Sequence, residues 1–229
     1  GNTGSGTHSV TVDTGLPSVG FDTLSGDNVL NAVEKGQDLN VSGTSANLAE
    51  GTVVTVTLNG KNYTATTGAD GSWSLTVPAA DLTALGEANY TLSATATNGV
   101  GNSISNTANL LVDTALPTVT INTVAGDNVI NAAEVAAGQT LSGTVAHAEA
   151  GNTVTVTIGG NTYTATVQSD LTWSVNVPSD VLTALGNGGL SVTATVTNGH
   201  GNTGAGEREI AIDANLPGLR VDTVAGDNV

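Results

Sequence analysis

The sequence contains no cysteine and very little positive charge. Four Lys and Arg residues stand against 20 Asp and Glu residues, and the formal net charge is −16. Without cysteine the chain has no disulfides, no thiolate metal ligands and no cysteine nucleophile. Without a basic surface it has nothing with which to neutralise the phosphates of a nucleic acid, and an anionic membrane surface would repel it. We therefore expect no nucleic-acid partner and no membrane-surface role.

The sequence also lacks long apolar runs. None approaches the ~20 residues that an α-helix needs to cross a bilayer, so we expect no membrane insertion. A chain without disulfides that works outside the cell must be stiffened in another way. The surplus of carboxylates suggests a hard divalent cation for that purpose.

One stretch of sequence occurs three times with a constant spacing. It runs from Asp13 to Glu34, again from Asp113 to Glu134, and a third time from Asp213 to Val229, and 113 − 13 = 213 − 113 = 100. A fixed period of this kind predicts a tandem array of domains taken from a longer protein. We expect the last strand of a preceding repeat with a linker over 1–13, two repeats over 14–112 and 113–212, and a linker with the first strand of a further repeat over 213–229.

Apolar and polar residues alternate within each repeat. Val54, Val56 and Leu58 are followed by Asn59-Gly60, and a second alternating run, 73–77, follows Asp70-Gly71. Alternation with period two, broken by such turns, predicts antiparallel strands joined by hairpins. About seven short strands in ~100 residues fit an all-β, immunoglobulin-like antiparallel sandwich. Only residues 81–86, and their counterparts 181–186, suggest a single helical turn.

Acidic and amide residues recur where one repeat passes to the next. The loop with Asp27, Asn31 and Glu34 follows the first strand, and we expect it at the same end of its domain as Asp113. Residues of the following domain, Glu149, Asp170 and the loop 198–202, would face that end. Calcium takes six to eight oxygen ligands, whereas magnesium keeps several waters and zinc prefers Cys or His. Carboxylates ~5 Å apart repel by roughly 1 kcal/mol in water, and a shared Ca²⁺ would turn that repulsion into attachment.

Four motifs together resemble one known family. They are Asp-Thr-x-Leu-Pro, Gly-Asp-Asn-Val-x-Asn-Ala-x-Glu, the run 70–78 (Asp-Gly-Ser-Trp to Val-Pro) and the Asn-Gly-x-Gly-Asn loop. The chain is similar over its whole length to the bacterial immunoglobulin-like repeats of giant, biofilm-associated adhesins that Gram-negative bacteria export by type I secretion. This resemblance implies an extracellular, cell-surface location, Ca²⁺ at domain junctions, and a role in adhesion or biofilm formation.

The predicted metal ligands are carboxylates and amides at equivalent positions of the three copies. Asn122 replaces the acid found at Asp22 and Asp222, and the third copy stops before its Glu, so the ligand number is expected to differ between junctions. The full candidate set is Asp13, Asp22, Asp27, Asn31, Glu34, Asp113, Asp127, Asn131, Glu134, Asp170, Asp213, Asp222 and Asp227.

Each of these features also has a purely structural interpretation. The Asp-Asn-x-x-Asn-x-x-Glu loop lacks the glycine and spacing of an EF-hand and could be a turn with solvated acids. Asp70 and Asp170 fit turn formers, and Trp73 and Trp173 fit core residues better than a sugar-stacking platform. Threonine stripes such as 193, 195 and 197 could form an ice- or glycan-binding face, although Thr is also common on the solvent side of strands.

Three classes of function remain. The leading one is a spacer in a long extracellular adhesin, with neighbouring repeats of the same chain as its partners and calcium setting its stiffness. The second is a module that binds host-cell glycans, host proteins or other adhesin molecules directly. An enzyme is the least favoured, because no nucleophile and base recur together.

Overall fold

The structure is a computed structural model that describes residues 1–10, 12 and 14–220. The chain divides into two compact units, Gly1–Ala115 and Leu116–Val229. Residues 1–10 and 12 are exposed and form no strand. The strand expected over residues 1–12 would belong to a preceding repeat and would need the strands of that repeat for its backbone hydrogen bonds. That expectation therefore stays a prediction. The strand expected after Asp213 falls mostly outside the described residues.

The first unit is a β-sandwich of two sheets. Its strands are β1 (Ser18–Phe21), β2 (Val29–Leu30), β3 (Leu39–Ala46), β4 (Val53–Leu58), β5 (Lys61–Thr66), β6 (Ser72–Val77), β7 (Ala88–Thr97) and β8 (Ser103–Val112). The smaller sheet has the strand order β1-β3-β6 and the larger has the order β2-β8-β7-β4-β5. A short helix, α1 (Ala79–Thr83), follows β6, and 3₁₀ turns span Leu24–Gly26 and Glu34–Gly36.

The second unit repeats this topology. Its strands are β9 (Thr118–Val119), β10 (Val129–Asn131), β11 (Gln139–Ala146), β12 (Thr153–Ile158), β13 (Asn161–Thr166), β14 (Thr172–Val177), β15 (Gly188–Thr197) and β16 (Thr203–Asp213). The sheets have the orders β14-β11-β9 and β10-β16-β15-β12-β13. The described part of this unit also contains the helices α2 (Ala132–Ala137) and α3 (Ser179–Leu185). The predicted all-β immunoglobulin-like sandwich is confirmed, as is the helical turn after β6 and β14.

Each unit has its own core, formed by the inward positions of both sheets. The alternating residues Val54, Val56 and Leu58 are at most 2% exposed. Trp73 and Trp173 are 3% and 1% exposed, so both belong to the core, as predicted. The threonines of β12, β13 and β15 lie on the opposite face of the larger sheet.

Close packing of β1 on β3 depends on a glycine. A Cβ on Gly43 would lie 1.8 Å from the Gly20 carbonyl oxygen and 2.6 Å from Cζ2 of Trp73. The equivalent Gly143 would meet the Thr120 carbonyl oxygen at 1.8 Å. Glycine is therefore the residue that lets the first strand and the tryptophan approach the same position.

Candidate functional site

Two strands bring the acidic loop of the first unit to the point where the chain leaves the sandwich. Strand β2 runs parallel to β8, with Leu30 opposite Val112, and the Asp113 N–H donates to the Leu30 carbonyl at 3.2 Å. Asn31 and Asp113 therefore continue side by side at what we call the trailing end. In the second unit Asn131 and Asp213 are direct register partners between β10 and β16.

Asn31 and Glu34 form a reciprocal hydrogen-bonded pair. The Asn31 Oδ1 accepts the N–H groups of Val33 and Glu34, both at 3.0 Å, and Glu34 Oε2 accepts the Asn31 N–H at 3.1 Å. This is the geometry of a capping box. The spacing that suggested two calcium ligands therefore also satisfies the backbone at the start of a helical turn.

The same pair begins a true helix in the second unit. Asn131 is the N-cap of α2, its Oδ1 accepts from Ala133 and Glu134, and Glu134 Oε2 accepts the Asn131 N–H at 2.9 Å. Asn followed three residues later by Glu is a helix-start signature in the sequence, and it could have identified α2. Each Glu uses one carboxylate oxygen in its capping bond.

Four other predicted ligands accept a backbone N–H two residues further on. These contacts are Asx turns, which fix the local chain direction. The bonds are Asp27 to Val29 at 2.9 Å, Asp113 to Ala115 at 3.2 Å, Asp127 to Val129 at 2.9 Å and Asp213 to Asn215 at 3.1 Å.

Asp22 and Asp170 have hydroxyl partners. Asp22 Oδ2 accepts from the Ser42 hydroxyl at 2.7 Å, beside the smaller sheet. Asp170 Oδ1 accepts from the Thr172 hydroxyl at 2.7 Å and from its N–H at 3.1 Å. The Thr172 hydroxyl, followed by the backbone bond, lowers the pKa of Asp170. Asp170 is thus the turn former that one interpretation predicted. Asp13, Asp222 and Asp227 lie outside the described residues.

A further acid at the trailing end had no recurring sequence signal. Glu87 precedes β7, and its carboxylate accepts the Thr114 N–H at 3.0 Å and the Thr114 hydroxyl. In the second unit Asn187 takes this position and accepts the Ala214 N–H at 2.9 Å. Both repeats therefore anchor the departing chain through the residue before β7 or β15, one with a charged group and one with a neutral amide.

The chain enters the first unit at the opposite end, which we call the leading end. The Gly15 carbonyl accepts long bonds of 3.5 Å from the side-chain amides of Asn98 and Asn102, and the Leu16 carbonyl accepts from Asn47 at 2.9 Å. Asn98 and Asn102 belong to the loop before β8, whereas Asp113 follows β8. Ten residues of strand separate the two ends, a distance of about 33 Å.

The leading end of the second unit brings together part of the predicted set. Glu149 Oε2 accepts the Gly199 N–H at 3.2 Å, and the Asn198 amide donates to the His147 carbonyl at 3.3 Å. Glu149 and the loop 198–202 are therefore in contact. Asp170, by contrast, bonds to Thr172 within its own turn.

The described residues contain no ready-made cluster of acids. Among residues 1–10, 12 and 14–220, no three His, Asp or Glu side chains lie close enough to hold a metal ion. The atoms at the trailing end of the first unit that could coordinate a metal are carboxylate, amide and backbone oxygens, which are the ligands that calcium prefers. Any cation held there would need backbone carbonyls or water as well. No helix in this part of the chain is long and apolar enough to cross a membrane.

Comparison with known proteins identifies relatives of both units. A model of the bacterial Ig-like domain matches residues 22–114. A solved structure of a 1.5-MDa bacterial ice-binding adhesin, described for host cell surface retention, is 31% identical with a TM-score of 0.57; the match covers 88% of this chain and 67% of the other. A Ca²⁺-stabilized adhesin that helps an Antarctic bacterium bind ice is 33% identical with a TM-score of 0.61, over 92% of this chain and 52% of the other. No curated protein matches.

Proposed function

We propose that this chain, which belongs to the bacterial immunoglobulin-like domain family, is a non-catalytic extension module of a large bacterial surface adhesin. Its relatives are parts of large bacterial adhesins, and this chain spans about two thirds and about half of the length of the two relatives described above. Location at the cell surface, and a purpose in adhesion or biofilm formation, are parts of this proposal.

The observation that carries the proposal is the separation of the two chain ends within the first unit. The chain arrives beside Asn98 and Asn102 and departs beside Glu87, at opposite ends of β8. A domain whose ends meet on one side would add bulk to an array. One that carries the chain from end to end adds length, which is what a spacer requires.

Calcium at the domain junctions is the second part of the proposal. The relative that is called Ca²⁺-stabilized supports it, as do the oxygen donors Asn31, Glu34, Asp113 and Glu87 at the trailing end. Bound Ca²⁺ would neutralise the repulsion between these carboxylates. The chain's own residues already do the positioning, since the capping box orients Glu34 and the Asx turn orients Asp113.

The proposed stabilisation is modest for each junction. Extracellular calcium modules bind with dissociation constants of about 10⁻⁴ to 10⁻³ M. With 1 mM Ca²⁺ this corresponds to about 0.4–1.4 kcal/mol of added stability. Across many junctions, the same increment would decide whether an array is stiff or jointed.

The test removes charge without removing the hydrogen bonds. Glu34→Gln with Asp113→Asn keeps an oxygen acceptor for the Asn31 and Ala115 N–H groups but eliminates two negative charges. We expect 1 mM Ca²⁺ to raise the melting temperature and extend the maximum dimension of the natural chain in small-angle scattering, relative to chelator. The double variant should lose most of both responses.

A matched control separates a specific site from general charge screening. Asp180→Asn with Glu209→Gln removes the same charge from exposed positions of the second unit, and this variant should respond to Ca²⁺ as the natural chain does. If neither melting temperature nor maximum dimension depends on Ca²⁺, or if both double variants lose the response equally, the calcium part of the proposal is wrong.

A further inference from the structure

Arg208 is one of four Lys and Arg residues in the chain, and it is half-buried in the second unit. Its Nε donates to the Ile121 carbonyl at 2.7 Å, and its Nη1 lies 3.5 Å from the Asn128 Oδ1. Arg208 therefore ties β16 to the segment that follows β9. The two acceptors form a cradle for a guanidinium group.

The backbone of this cradle is repeated in the first unit. The Asp22 N–H donates to the Ser42 carbonyl at 2.9 Å, and the Asn122 N–H donates to the Ser142 carbonyl at 2.8 Å. The carbonyls of Asn28 and Asn128 each accept an N–H from the last strand at 2.9 Å. Asn28 and Asn128 also share a left-handed conformation, with φ of 66° and 68°.

The first unit has no arginine at this place. Ala108 is the counterpart of Arg208, and Asn28 is exposed where Asn128 is half-buried. An open groove of about 400 Å³ remains beside the alanine. It is lined by Phe21, Asp22, Thr23, Asn28, Ala108 and Asn109.

Two differences make the groove of the first unit suitable for a cation from elsewhere. Asp22 stands where the second unit has Asn122, so the groove has a carboxylate that the filled cradle lacks. Asn106 donates its side-chain amide to the Val19 carbonyl at 2.9 Å. The Asn106 side chain thus connects the first strand to β8 without an arginine, so residue 108 does not need to make this connection.

We propose that this groove, which we call the Ala108 groove, binds the guanidinium group of an arginine side chain from a partner protein. The Phe21 carbonyl and the Asn28 Oδ1 occupy the positions whose counterparts accept from Arg208. The Asp22 carboxylate supplies the opposite charge, and the half-buried Phe21 also lines the groove. A planar guanidinium fits these separated acceptors better than the compact ammonium of lysine does.

The charge of the whole chain favours such a partner. A net charge of −16 attracts a cationic surface over a long range. The groove then selects arginine within that surface by its acceptors. None of the four residues proposed to hold calcium at the trailing end, Asn31, Glu34, Asp113 and Glu87, lines the Ala108 groove, so either proposal can fail without the other.

The test uses N-acetyl-arginine amide as the probe in ¹H–¹⁵N NMR titration of the full chain. We expect saturable shifts of the Asp22, Ala108 and Asn109 amides and of the Asn28 side chain, in the millimolar range. N-acetyl-lysine amide should bind several-fold more weakly. Ala108→Arg should fill the groove and abolish the shifts, and Asp22→Asn should weaken binding several-fold while leaving the rest of the spectrum unchanged.

A reciprocal variant moves the site into the second unit. Arg208→Ala with Asn122→Asp should open an equivalent groove and add a second set of shifts at residues 122, 208 and 209. Equal shifts with the lysine probe, shifts that persist in Ala108→Arg, or no saturable shifts would each overturn the proposal. Stronger shifts of the same resonances with Ca²⁺ would also overturn it, because they would assign the groove to a metal.

Discussion

Replacing Gly43 by Ala should severely destabilise the first unit. The new Cβ would lie 1.8 Å from the Gly20 carbonyl oxygen, and contacts below 3.0 Å essentially do not occur. Strand β1 would have to retreat by about 1.2 Å, and it can hardly do so while the Asp22 N–H stays bonded to the Ser42 carbonyl at 2.9 Å. The Trp73 ring, only 2.6 Å from the new atom, would also have to move.

The expected magnitude follows from these two displacements. Overpacking of a core typically costs about 1–3 kcal/mol, and losing about two hydrogen bonds between β1 and β3, at about 1 kcal/mol each, adds about 2 kcal/mol. The unfolding free energy of the first unit should therefore fall by about 3–5 kcal/mol, a large share of the ~5–15 kcal/mol of an ordinary domain.

Gly20→Ala is the matched control on the facing strand. A Cβ there meets only the Thr44 carbonyl and hydroxyl oxygens, both at 3.8 Å, so its effect should stay within about 1 kcal/mol. Urea unfolding monitored by hydrogen exchange would report the stability of each unit separately, through peptides from β3 for the first unit and from β11 for the second. The second unit should be unaffected by either change. If Gly43→Ala and Gly20→Ala lowered the stability of the first unit equally, the close approach of β1 to β3 would be refuted.

Three further predictions concern caps and titrating groups. Asn131→Ala, measured by urea unfolding in chelator, should cost the second unit about 1 kcal/mol because α2 loses its cap, and an unchanged stability would contradict the capping role. The Thr172 hydroxyl lowers the pKa of Asp170. This hydrogen bond therefore stabilises the fold at pH values above the pKa of Asp170 in the unfolded chain, and the stabilisation is lost as the pH falls through the lower pKa of the folded state. In an NMR carboxyl titration, Thr172→Ala should raise the pKa of Asp170, and an unchanged pKa would argue against the bond. Burial, aided by the hydrogen bond and charge of Asp81, raises the pKa of Tyr63 to about 12. The stability contributed by the neutral Tyr63 phenol is present below the ordinary tyrosine pKa near 10 and is lost as the pH rises to about 12. Asp81→Asn should lower the pKa of Tyr63 in a spectrophotometric titration.

The fold could be predicted largely from the alternation of side chains. Residues 54–58 and 73–77 follow a period of two because one face of each strand is buried, and the same burial explains both tryptophans. Strand β2 had no such signal, because a two-residue strand is too short to show a period. Its parallel pairing with β8 is set by the backbone bonds of Asn28 and Leu30 to Leu111 and Asp113.

The candidate site was only partly readable from the sequence. Repetition identified Asn31, Glu34 and Asp113 as a group, but capping and metal binding use the same residue types at similar spacings. Helix α2 was not among the helical turns expected from the sequence, although alanine favours helix and Asn131 with Glu134 marks a helix start. Glu87 was missed because a lone acid carries no pattern, and only the fold brings it to Thr114.

The parallel pairing of β2 with β8 also determines how a repeat resists pulling. A force applied at the two chain ends would draw β2 toward the leading end and β8 toward the trailing end. Two strands that run side by side in the same direction then slide along each other, so the bonds from Leu111 to Asn28 and from Asp113 to Leu30 are loaded in shear at the same time. A hairpin pulled from its open end would instead break its bonds one after another. The two-residue strand β2 is thus the element of the first unit that would resist a pulling force by shear of its bonds to β8.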